Sequence, residues 1–326
     1  MTQPATSPTR FIGADVGKAE IVLHDSRGNA RHTIPNKPKD LAAFAAKADL
    51  DATCLVICEA TGGYEDALLA ALLAVGCPAH RADARKVKAF IHSYGTLAKT
   101  DALDAKALAA YGRERHTSLA RWQAPDPDQE NLQSLVLTRA DFVAQRTANR
   151  NRLAAPGSGP VQAYLETLIT ALSEQIEAIE EAMAETLRKA AALSRAKKAL
   201  TSIKGIGDTS AIILLALMPE LGRIDRRQAT SLAGLAPHPN QSGTTERYRR
   251  TKGGRPEIKQ ALFLPALTAT RFNPVLKDTY QRLIAAGKKP IVAIVAIMRR
   301  LLVIANARLR DAYAEEQKIA LATEAN

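Results

Sequence analysis

The sequence predicts an α/β domain with a mixed sheet over residues 11–124, followed by a mainly α-helical remainder. Short, apolar, β-rich runs alternate with helical stretches in the first region. The second region carries Ala and Leu at helical spacing, and aromatic residues make up only 4% of the 326-residue chain. With 46% hydrophobic residues, the chain can bury more than one core.

The first region opens with an apolar strand over 11–17, which continues through Ile21–Asp25 to a hairpin at Ser26–Asn29. Apolar spacing and the breaker Gly76 then define the following elements. In order, we predict a helix over 41–48, a buried strand over 53–58, and helices over 65–75, 85–90 and 101–111.

Two long helices follow, over 128–153 and about 165–187, and the Pro- and Gly-rich stretch 155–160 separates them. Apolar residues of the second helix recur with an 11-residue period, which predicts nearly straight packing in an antiparallel helical hairpin. The same stripe could serve oligomerisation. The positions of the stripe are Leu165, Leu168, Leu172, Ile176, Ile179, Met183 and Leu187.

The C-terminal region is predicted to be helical and basic around a central loop. The helices are expected over 209–218, 226–232, 256–269 and 291–311, with the loop at 238–243. The predicted domains are therefore a disordered lead at 1–10, an α/β domain at 11–124, a helical hairpin at 125–196, a C-terminal domain at 197–314 and a frayed tail at 315–326.

Bulk properties narrow the class of protein. The net charge of +12 favours a polyanionic partner, although charge alone also fits a membrane surface. We expect no membrane association, because no apolar run approaches bilayer length and the N-terminus lacks a signal-peptide core. The three cysteines, Cys54, Cys58 and Cys77, have no histidine nearby at zinc spacing, and Cys54 and Cys58 are expected to be small core residues, which predicts a reduced, cytoplasmic location.

Four carboxylates are the candidate chemical centre of the first domain. Asp15 lies within an apolar strand, Glu59 ends another, and Asp101 and Asp104 share one face of a predicted helix. A carboxylate within an apolar strand is costly unless a cation or hydrogen bonds compensate it. Acids converging from these elements form an oxygen site for Mg²⁺ or Mn²⁺, ions that support phosphoryl transfer. Helix capping or surface pairing is the alternative for the helical pair.

The segment Lys204-Gly205-Ile206-Gly207, between two predicted helices, is a candidate phosphate contact. Its glycines would let the backbone approach a phosphate, and the next helix offers free N–H groups at its N-terminus. The segment resembles the helix-hairpin-helix element of DNA-binding proteins. A plain helix–helix turn is an equally good interpretation.

Ser242 is a candidate nucleophile presented on the central loop, although serine beside glycine usually reflects turn chemistry. The neighbouring basic stretch would neutralise a scissile phosphate, and its tyrosine could stack on a base. A solvated basic face is the alternative. The residues of this stretch are Arg247, Tyr248, Arg249, Arg250, Lys252 and Arg255.

In this order, the motifs resemble those of the DEDD-type transposases of bacterial insertion sequences, described as bridge-RNA-guided serine recombinases. The resemblance covers the chain from Ile12 to about Asp311. The stretch Ala154–Pro160 departs from the family's pattern because it is short and rich in glycine. The segments that carry the resemblance are Gly13–Lys18, Cys58–Tyr64, Lys99–Lys106, Gly205–Gly207, Leu232–Pro237 and Gln241–Gly243.

The resemblance implies an RNase-H-like (RuvC-like) domain, a coiled-coil-like hairpin and a C-terminal serine transposase domain. It implies that Ser242 attacks DNA to form a phosphoserine link and that the four acids bind Mg²⁺ (or Mn²⁺). The implied partners are double-stranded donor and target DNA, a structured guide RNA, and further copies of the chain in a dimer or tetramer. In such a multimer, the serine of one protomer completes the acidic site of another.

Two other functions remain open at this point. A junction-resolving, RuvC-like nuclease would use water as its nucleophile and form no covalent intermediate. A non-catalytic remnant would bind nucleic acid without metal-dependent chemistry. Neither accounts for the serine loop and the acids together, so we expect a recombinase in the bacterial cytoplasm, associated with the nucleoid.

Overall fold

This computed structural model describes residues 7–94, 101–238, 241–242, 245–246 and 250–324. The side chains of Asp101 and Ser242 lie outside the described part. The chain divides into two compact units, Met1–Ala124 and Pro125–Asn326. The first unit combines helices with a mixed sheet and the second is mostly helical, which confirms the predicted fold class at this level.

The sheet of the first unit has the order β3-β2-β1-β4-β5. Strand β2 is antiparallel to both of its neighbours, β1 and β3, whereas β1, β4 and β5 run parallel. The two central strands, β1 and β4, are mostly buried because helices cover both faces, and β3 is an exposed edge. The strands are β1 (Arg10–Val16), β2 (Glu20–Asp25), β3 (Ala30–Pro35), β4 (Cys54–Glu59) and β5 (Ala79–Ala82).

Helices cover the sheet on both sides. On one face, apolar residues of α1 and α2 form a core with alternate positions of β1 and β4, among them the buried Cys54 and Cys58. On the other face, α3 and α4 pack against the remaining positions through residues such as Val87 and Leu108. The helices are α1 (Pro38–Lys47), α2 (Asp66–Ala74), α3 (Ala84–Ser93) and α4 (Asp101–Arg115).

All three thiols are core residues, as the sequence predicts for Cys54 and Cys58. Cys54, Cys58 and Cys77 are buried and free of disulfides. Burial raises the pKa of Cys58 and of Cys77 to about 12. These thiols are therefore protonated and unreactive near neutral pH.

Arg10, the last residue of the predicted disordered lead, begins β1. Its guanidinium is held by the buried Asp25 and donates from Nη1 to the carbonyl oxygens of Ala48 and Asp49, each at 2.9 Å. The pKa of Asp25 lies below its ordinary value, because the bonds from Arg10 and Arg27 outweigh the opposing effect of burial. The ordered α/β domain thus includes Arg10, while residues 1–6 lie outside the described part.

The second unit begins with a helical hairpin whose base joins the core of the helices that follow. Helix α5 and helix α6 are 27 and 28 residues long and pack against each other. Leu132, Val136, Met183 and Leu187 belong to the same buried cluster as residues of the closing helices. The helices are α5 (Pro127–Leu153), α6 (Gln162–Lys189), α7 (Ala191–Thr201), α8 (Asp208–Leu217), α9 (Arg226–Leu232), α10 (Pro256–Phe272), α11 (Pro274–Ala285) and α12 (Pro290–Glu324).

Two features of this unit differ from the prediction. Helix α11, which Asn273 caps and Pro274 begins, was not predicted. Helix α12 continues to Glu324, through most of the segment predicted as a frayed tail, because residues 311–324 are rich in helix formers and contain neither Gly nor Pro.

The expectation about apolar length is also corrected. By length and composition, one helical stretch in the described part, Pro290–Lys318, could cross a membrane, with a mean hydropathy of 1.8. In this protein its buried residues, including Ile297, Leu301 and Ala305, form part of the core of the second unit. Arg299 and Arg300 lie in the middle of the stretch and are exposed. The apolar run is therefore accounted for by packing within the unit.

Candidate active site

Asp15 and Glu59 lie at the carboxyl ends of two paired parallel strands. Ala14 of β1 is in register with Cys58 of β4, so the next residues, Asp15 and Glu59, are neighbours across the pair. Adjacent strands are about 4.8 Å apart, and residues in register point to the same face. Both residues are partly buried. The carboxyl end of parallel strands is where α/β sheets usually present their ligands.

Helix α4 covers the face of the sheet on which these two acids lie. Gly13, two residues before Asp15 and hence on the same face, contacts α4 so closely that a Cβ would lie 1.9 Å from the carbonyl oxygen of Ala105. Further along the helix, Gly112 lies against Ile57. The helix therefore runs opposite to β1, and its N-terminal turn points toward the end of the sheet that carries the acids.

Asp104 belongs to that N-terminal turn and is partly buried. The backbone of Asp101 begins the same helix, but its side chain is outside the described part. Within the described residues, no group of three or more His, Cys, Asp and Glu side chains is close enough together to hold a metal ion. The fold thus brings Asp15 and Glu59 side by side and directs the Asp104 turn toward them. The convergence of all four acids stays a prediction.

Glu65 is a buried carboxylate near this end of the sheet that the sequence analysis missed. It is 2% exposed and accepts hydrogen bonds at one oxygen from the N–H groups of Thr61 and Gly63 and from the Thr61 hydroxyl, at 2.9–3.0 Å. Arg81 lies 3.6 Å from its other oxygen. Glu65 therefore fixes the loop that directly follows Glu59. Its position at the end of Gly62-Gly63-Tyr64 was the available signal.

These bonds make the stability of the loop dependent on pH. Burial would raise the pKa of Glu65, but the N–H and hydroxyl donors lower it below the ordinary 4.5. A lowered pKa gives stability that is present above the unfolded value and lost as the pH falls through the folded value. The stabilisation should therefore be complete at neutral pH, begin to decline near the ordinary value of 4.5, and be lost once the pH falls below the lowered pKa of folded Glu65.

We predict that Glu65→Gln lowers the free energy of unfolding by about 2 kcal/mol at pH 7, because the charged acceptor of three bonds is lost. The difference from wild type should shrink as the pH falls below 4.5. Thermal or denaturant unfolding across this pH range measures both effects. Glu20→Gln, at an exposed strand position, is the control and should change little. A difference that does not depend on pH would exclude the carboxylate as its source.

In the second unit, the structure gives the Lys204–Gly207 segment a packing role. Gly205 has φ +115° and lies against α10, where a Cβ would be 2.9 Å from the Ala269 methyl and 3.0 Å from the Pro265 carbonyl oxygen. Gly207 caps the N-terminus of α8, but Asp208 already places a carboxylate there and pairs with Lys197 at 3.1 Å. Close helix packing therefore accounts for Gly205. Lys204 is exposed, and its contact with a phosphate stays a prediction.

Ser242 lies in a short β-hairpin, where the sequence predicts an irregular loop. Strand β6 (Gln241–Ser242) pairs with strand β7 (Thr245–Glu246), and Ser242 is in register with Thr245. Nearer the base, Pro237 bridges to Thr251 and the His238 N–H donates to the Arg250 carbonyl at 3.1 Å. We call residues 237–251 the serine hairpin. Its paired base holds the backbone of Ser242 at one end of a two-stranded element.

Arg255 anchors the chain just after the serine hairpin. Its guanidinium forms a two-bond pair with Glu220, at 2.8 and 2.6 Å, and donates to the Leu217 carbonyl oxygen at 2.7 Å. Burial would raise the pKa of Glu220, but the bond from Arg255 lowers it below the ordinary value. The guanidinium of Arg255 was predicted to bind phosphate, but these contacts already occupy it. They favour a structural role for Arg255.

Close contacts between glycines also hold the chain that follows the serine hairpin. Gly234, which follows α9, contacts the backbone of Gly253 and Gly254 directly. A Cβ on Gly234 would lie 1.9 Å from the Gly253 carbonyl oxygen, and one on Gly254 would lie 2.0 Å from the Gly234 nitrogen. The Arg255 N–H also donates to the Leu232 carbonyl at 2.9 Å. The flank of the serine hairpin is therefore tied to α9 by backbone contacts that larger residues would prevent.

We predict that Arg255→Ala lowers the free energy of unfolding by about 1–2 kcal/mol, because it leaves the Glu220 carboxylate unpaired. Both side chains are about a third exposed, so solvent moderates this loss. Arg255→Lys should recover only part of the loss, since lysine cannot form the two-bond pair. The thermal unfolding midpoint measures the effect, and Lys252→Ala, at an exposed position, is the control. An unchanged midpoint combined with weaker DNA binding would instead support the phosphate-binding role.

The structure describes only some of the other residues of the basic stretch. Arg247, Tyr248 and Arg249 lie outside the described residues. Arg250 and Lys252 are exposed, so they are accessible to a polyanion. Their predicted contacts with nucleic acid stay predictions.

Comparison with known families gives matches in both units. A family model described as a transposase, of the DEDD type named after IS110, matches residues 12–155. A second model, described as the transposase IS116/IS110/IS902 family, matches residues 197–281. The two matched ranges contain Asp15, Glu59, Asp101 and Asp104 in the first and Ser242 in the second.

Similar proteins extend over nearly the whole chain. The pilin gene-inverting protein of Moraxella bovis is 29% identical over 312 residues, covering 92% of this chain and 96% of the relative. The pilin gene-inverting protein of Moraxella lacunata is 28% identical over 314 residues, with the same coverage. The 42 kDa protein of insertion element IS900 from Mycobacterium paratuberculosis is 26% identical over 393 residues, covering 95% of this chain and 97% of the relative.

Proposed function

Because the chain belongs to the IS110 family of insertion-sequence transposases, we propose that it cuts and rejoins DNA through a phosphoserine intermediate formed by Ser242. Membership of the family makes it a DNA recombination enzyme, and the serine mechanism is our proposal. The observation that carries it is the serine hairpin, whose paired base and Arg255 anchor hold the backbone of Ser242 in a defined place. Such positioning is what a nucleophile requires.

In the proposed step, the hydroxyl oxygen of Ser242 bonds to phosphorus and the bond from phosphorus to one sugar oxygen breaks. The serine loses a proton and the departing sugar oxygen gains one. The reverse attack, by the sugar hydroxyl of another strand end, restores a phosphodiester and frees the serine. Because the number of phosphoester bonds is unchanged, strands can be exchanged without ATP.

We propose that Asp15, Glu59, Asp101 and Asp104 hold the divalent ion that the family generally uses, with Mg²⁺ or Mn²⁺ as the expected ion. When bound, the ion would stabilise negative charge on the phosphate oxygens. Support comes from the register of Asp15 with Glu59 and from the direction of α4. The mixed sheet with helices on both faces also supports an RNase-H-like assignment for this unit.

The proposed partners follow from the same function. Donor and target DNA are the substrates, a structured guide RNA supplies sequence selection by base pairing, and copies of the chain assemble as a dimer or tetramer. The names of the Moraxella relatives support recombination between defined sites, because inversion of a gene requires two of them. We place this activity in the bacterial cytoplasm, at the nucleoid.

The test uses purified full-length protein, Mg²⁺, labelled DNA spanning the element's junction and RNA transcribed from the element's flank. We expect a protein–DNA adduct that survives denaturation, and a digested peptide containing residue 242 that carries the nucleotide. Cleavage without an adduct would contradict the serine mechanism and favour the RuvC-like nuclease. Binding without Mg²⁺-dependent cleavage would favour the non-catalytic remnant.

A further inference from the structure

The second unit contains a groove with a cavity volume of about 1020 Å³ beside the base of the serine hairpin. Its rim carries five arginines, and among the described residues Thr251 is the only other polar one that lines it. The remaining ten lining residues are apolar and come mainly from α11 and α12. Pro237, Arg250 and Thr251 belong both to this groove and to the serine hairpin. The rim arginines are Arg226, Arg227, Arg250, Arg299 and Arg300.

The charge of this groove is only partly compensated within the described part of the chain. None of the described residues that line it is acidic, and none of its five arginines forms an ion pair with a described carboxylate. Asp225, which directly precedes α9, lies close enough to attract Arg226 and Arg227 without forming an ion pair with either of them. Four of them are exposed outside the hairpin, on α9 and α12, and Arg250 is exposed at its base. Five like charges around one groove repel each other and favour an anion with several charges.

The floor restricts the kind of anion. Aliphatic side chains such as Val295 and Val303 form the floor, and among the described lining residues only Thr251 and the arginines have side chains that form hydrogen bonds. A ribose 2′-hydroxyl placed against this floor would lose its water without gaining a partner, which costs free energy. Deoxyribose carries no such group. A chain of phosphates on deoxyribose therefore fits both the rim and the floor.

We propose that this groove, the arginine groove, binds one DNA strand, with phosphates on the arginines and deoxyribose against the aliphatic floor. The inference rests on the proposed function, since it identifies where the strand that reaches Ser242 is held. Ser242 is five residues from Pro237, so a strand segment could span at most ~17 Å between them at ~3.3 Å per residue. The bound strand would thus reach the serine within about five nucleotides at ~3.4 Å each.

The experiment compares three full-length proteins: wild type, the double variant Arg226→Ala/Arg299→Ala, and Arg308→Ala. Arg308 is also exposed on α12 but does not line the groove, so it is the matched control. The probes are a labelled, unstructured 20-nucleotide DNA strand and an RNA of the same sequence, titrated by fluorescence anisotropy at several KCl concentrations. Thermal unfolding midpoints verify that each variant is folded.

We expect the double variant to bind the DNA strand at least tenfold more weakly. Its plot of log affinity against log salt should be shallower by about 1.4, because each lost phosphate contact removes about 0.7 for a single strand. Arg308→Ala should match wild type. Wild type should bind the RNA more weakly than the DNA. The inference would be overturned if the double variant binds DNA with the affinity and the salt slope of wild type. It would also be overturned if RNA binds more tightly than DNA through the same arginines.

This outcome is separable from that of the proposed function. Binding is measured equally well with Ser242→Ala protein, which has no hydroxyl to form an adduct. If the salt slope depends on the arginines but wild type forms no adduct, the groove proposal stands and the serine mechanism is wrong. If wild type forms the serine adduct but the double variant keeps the wild-type salt slope, only the groove proposal is wrong.

Discussion

Ser242→Ala is expected to abolish the covalent protein–DNA adduct and to slow strand exchange at least about a thousandfold. Alanine has no oxygen with which to bond to phosphorus, so the proposed intermediate cannot form. The serine hairpin should still fold, because pairing of β6 with β7 uses backbone groups and the anchor at Arg255 is untouched. The measurement is single-turnover conversion of labelled junction DNA with saturating Mg²⁺ and RNA.

Two variants make this result specific. Ser231→Ala removes an exposed hydroxyl in the same unit and should keep full activity. Ser242→Cys replaces the hydroxyl with a thiol, which can itself attack phosphorus, and should recover a slow, thiol-dependent adduct. Cleavage by Ser242→Ala at the wild-type rate would mean that water or another group is the nucleophile.

The second large effect is expected from Asp15→Asn. The change keeps the size of the side chain and removes a charge beside Glu59 at the carboxyl ends of the parallel strands. Metal-dependent cleavage should fall at least about a hundredfold, because a neutral amide is a poorer ligand for Mg²⁺ or Mn²⁺. The wild-type rise in melting temperature with added Mn²⁺ should also disappear, since only binding to the folded state produces it. Both quantities are measured over a range of metal concentrations.

Glu20→Gln, which neutralises an exposed strand carboxylate in the same unit, should leave both quantities unchanged. If Mn²⁺ stabilises Asp15→Asn as much as wild type, the ion binds elsewhere and the proposed role of Asp15 is wrong.

The layout of the first unit was predictable because its signals are local. Apolar runs identify β1 and β4, and a charged residue at the end of each run marks Asp15 and Glu59 as unusual. The edge strands β3 and β5 are less apolar: the hairpin predicted at Ser26–Asn29 leads into β3 but its strand was given no bounds, and no strand was predicted for β5. Their position depends on pairing with neighbouring strands, which a single sequence does not reveal.

In the second unit, contacts between residues far apart in the sequence were not predicted. Arg255 belongs to a basic run in the sequence, yet its partner Glu220 is 35 residues earlier, so only the tertiary structure reveals the pair. The arginine groove likewise joins α9, α11 and α12. A local signal existed in the adjacent Arg299 and Arg300, which interrupt an otherwise apolar run. An exposed pair of charges inside a core helix indicates that one side of the helix faces a solvent-filled groove.

Helix α12 has a consequence for the order in which the protein matures during synthesis. Its residues Ile297, Leu301, Leu302 and Ala305 are fully buried in the core of the second unit, and the ribosome makes them after all the other helices of that core. The first unit, complete by residue 124, can fold while the remainder is still being translated. The second unit cannot close its core until these residues of α12 have been made. A message cut short before residue 290 would therefore yield the unit with the four carboxylates but no folded unit to carry the serine.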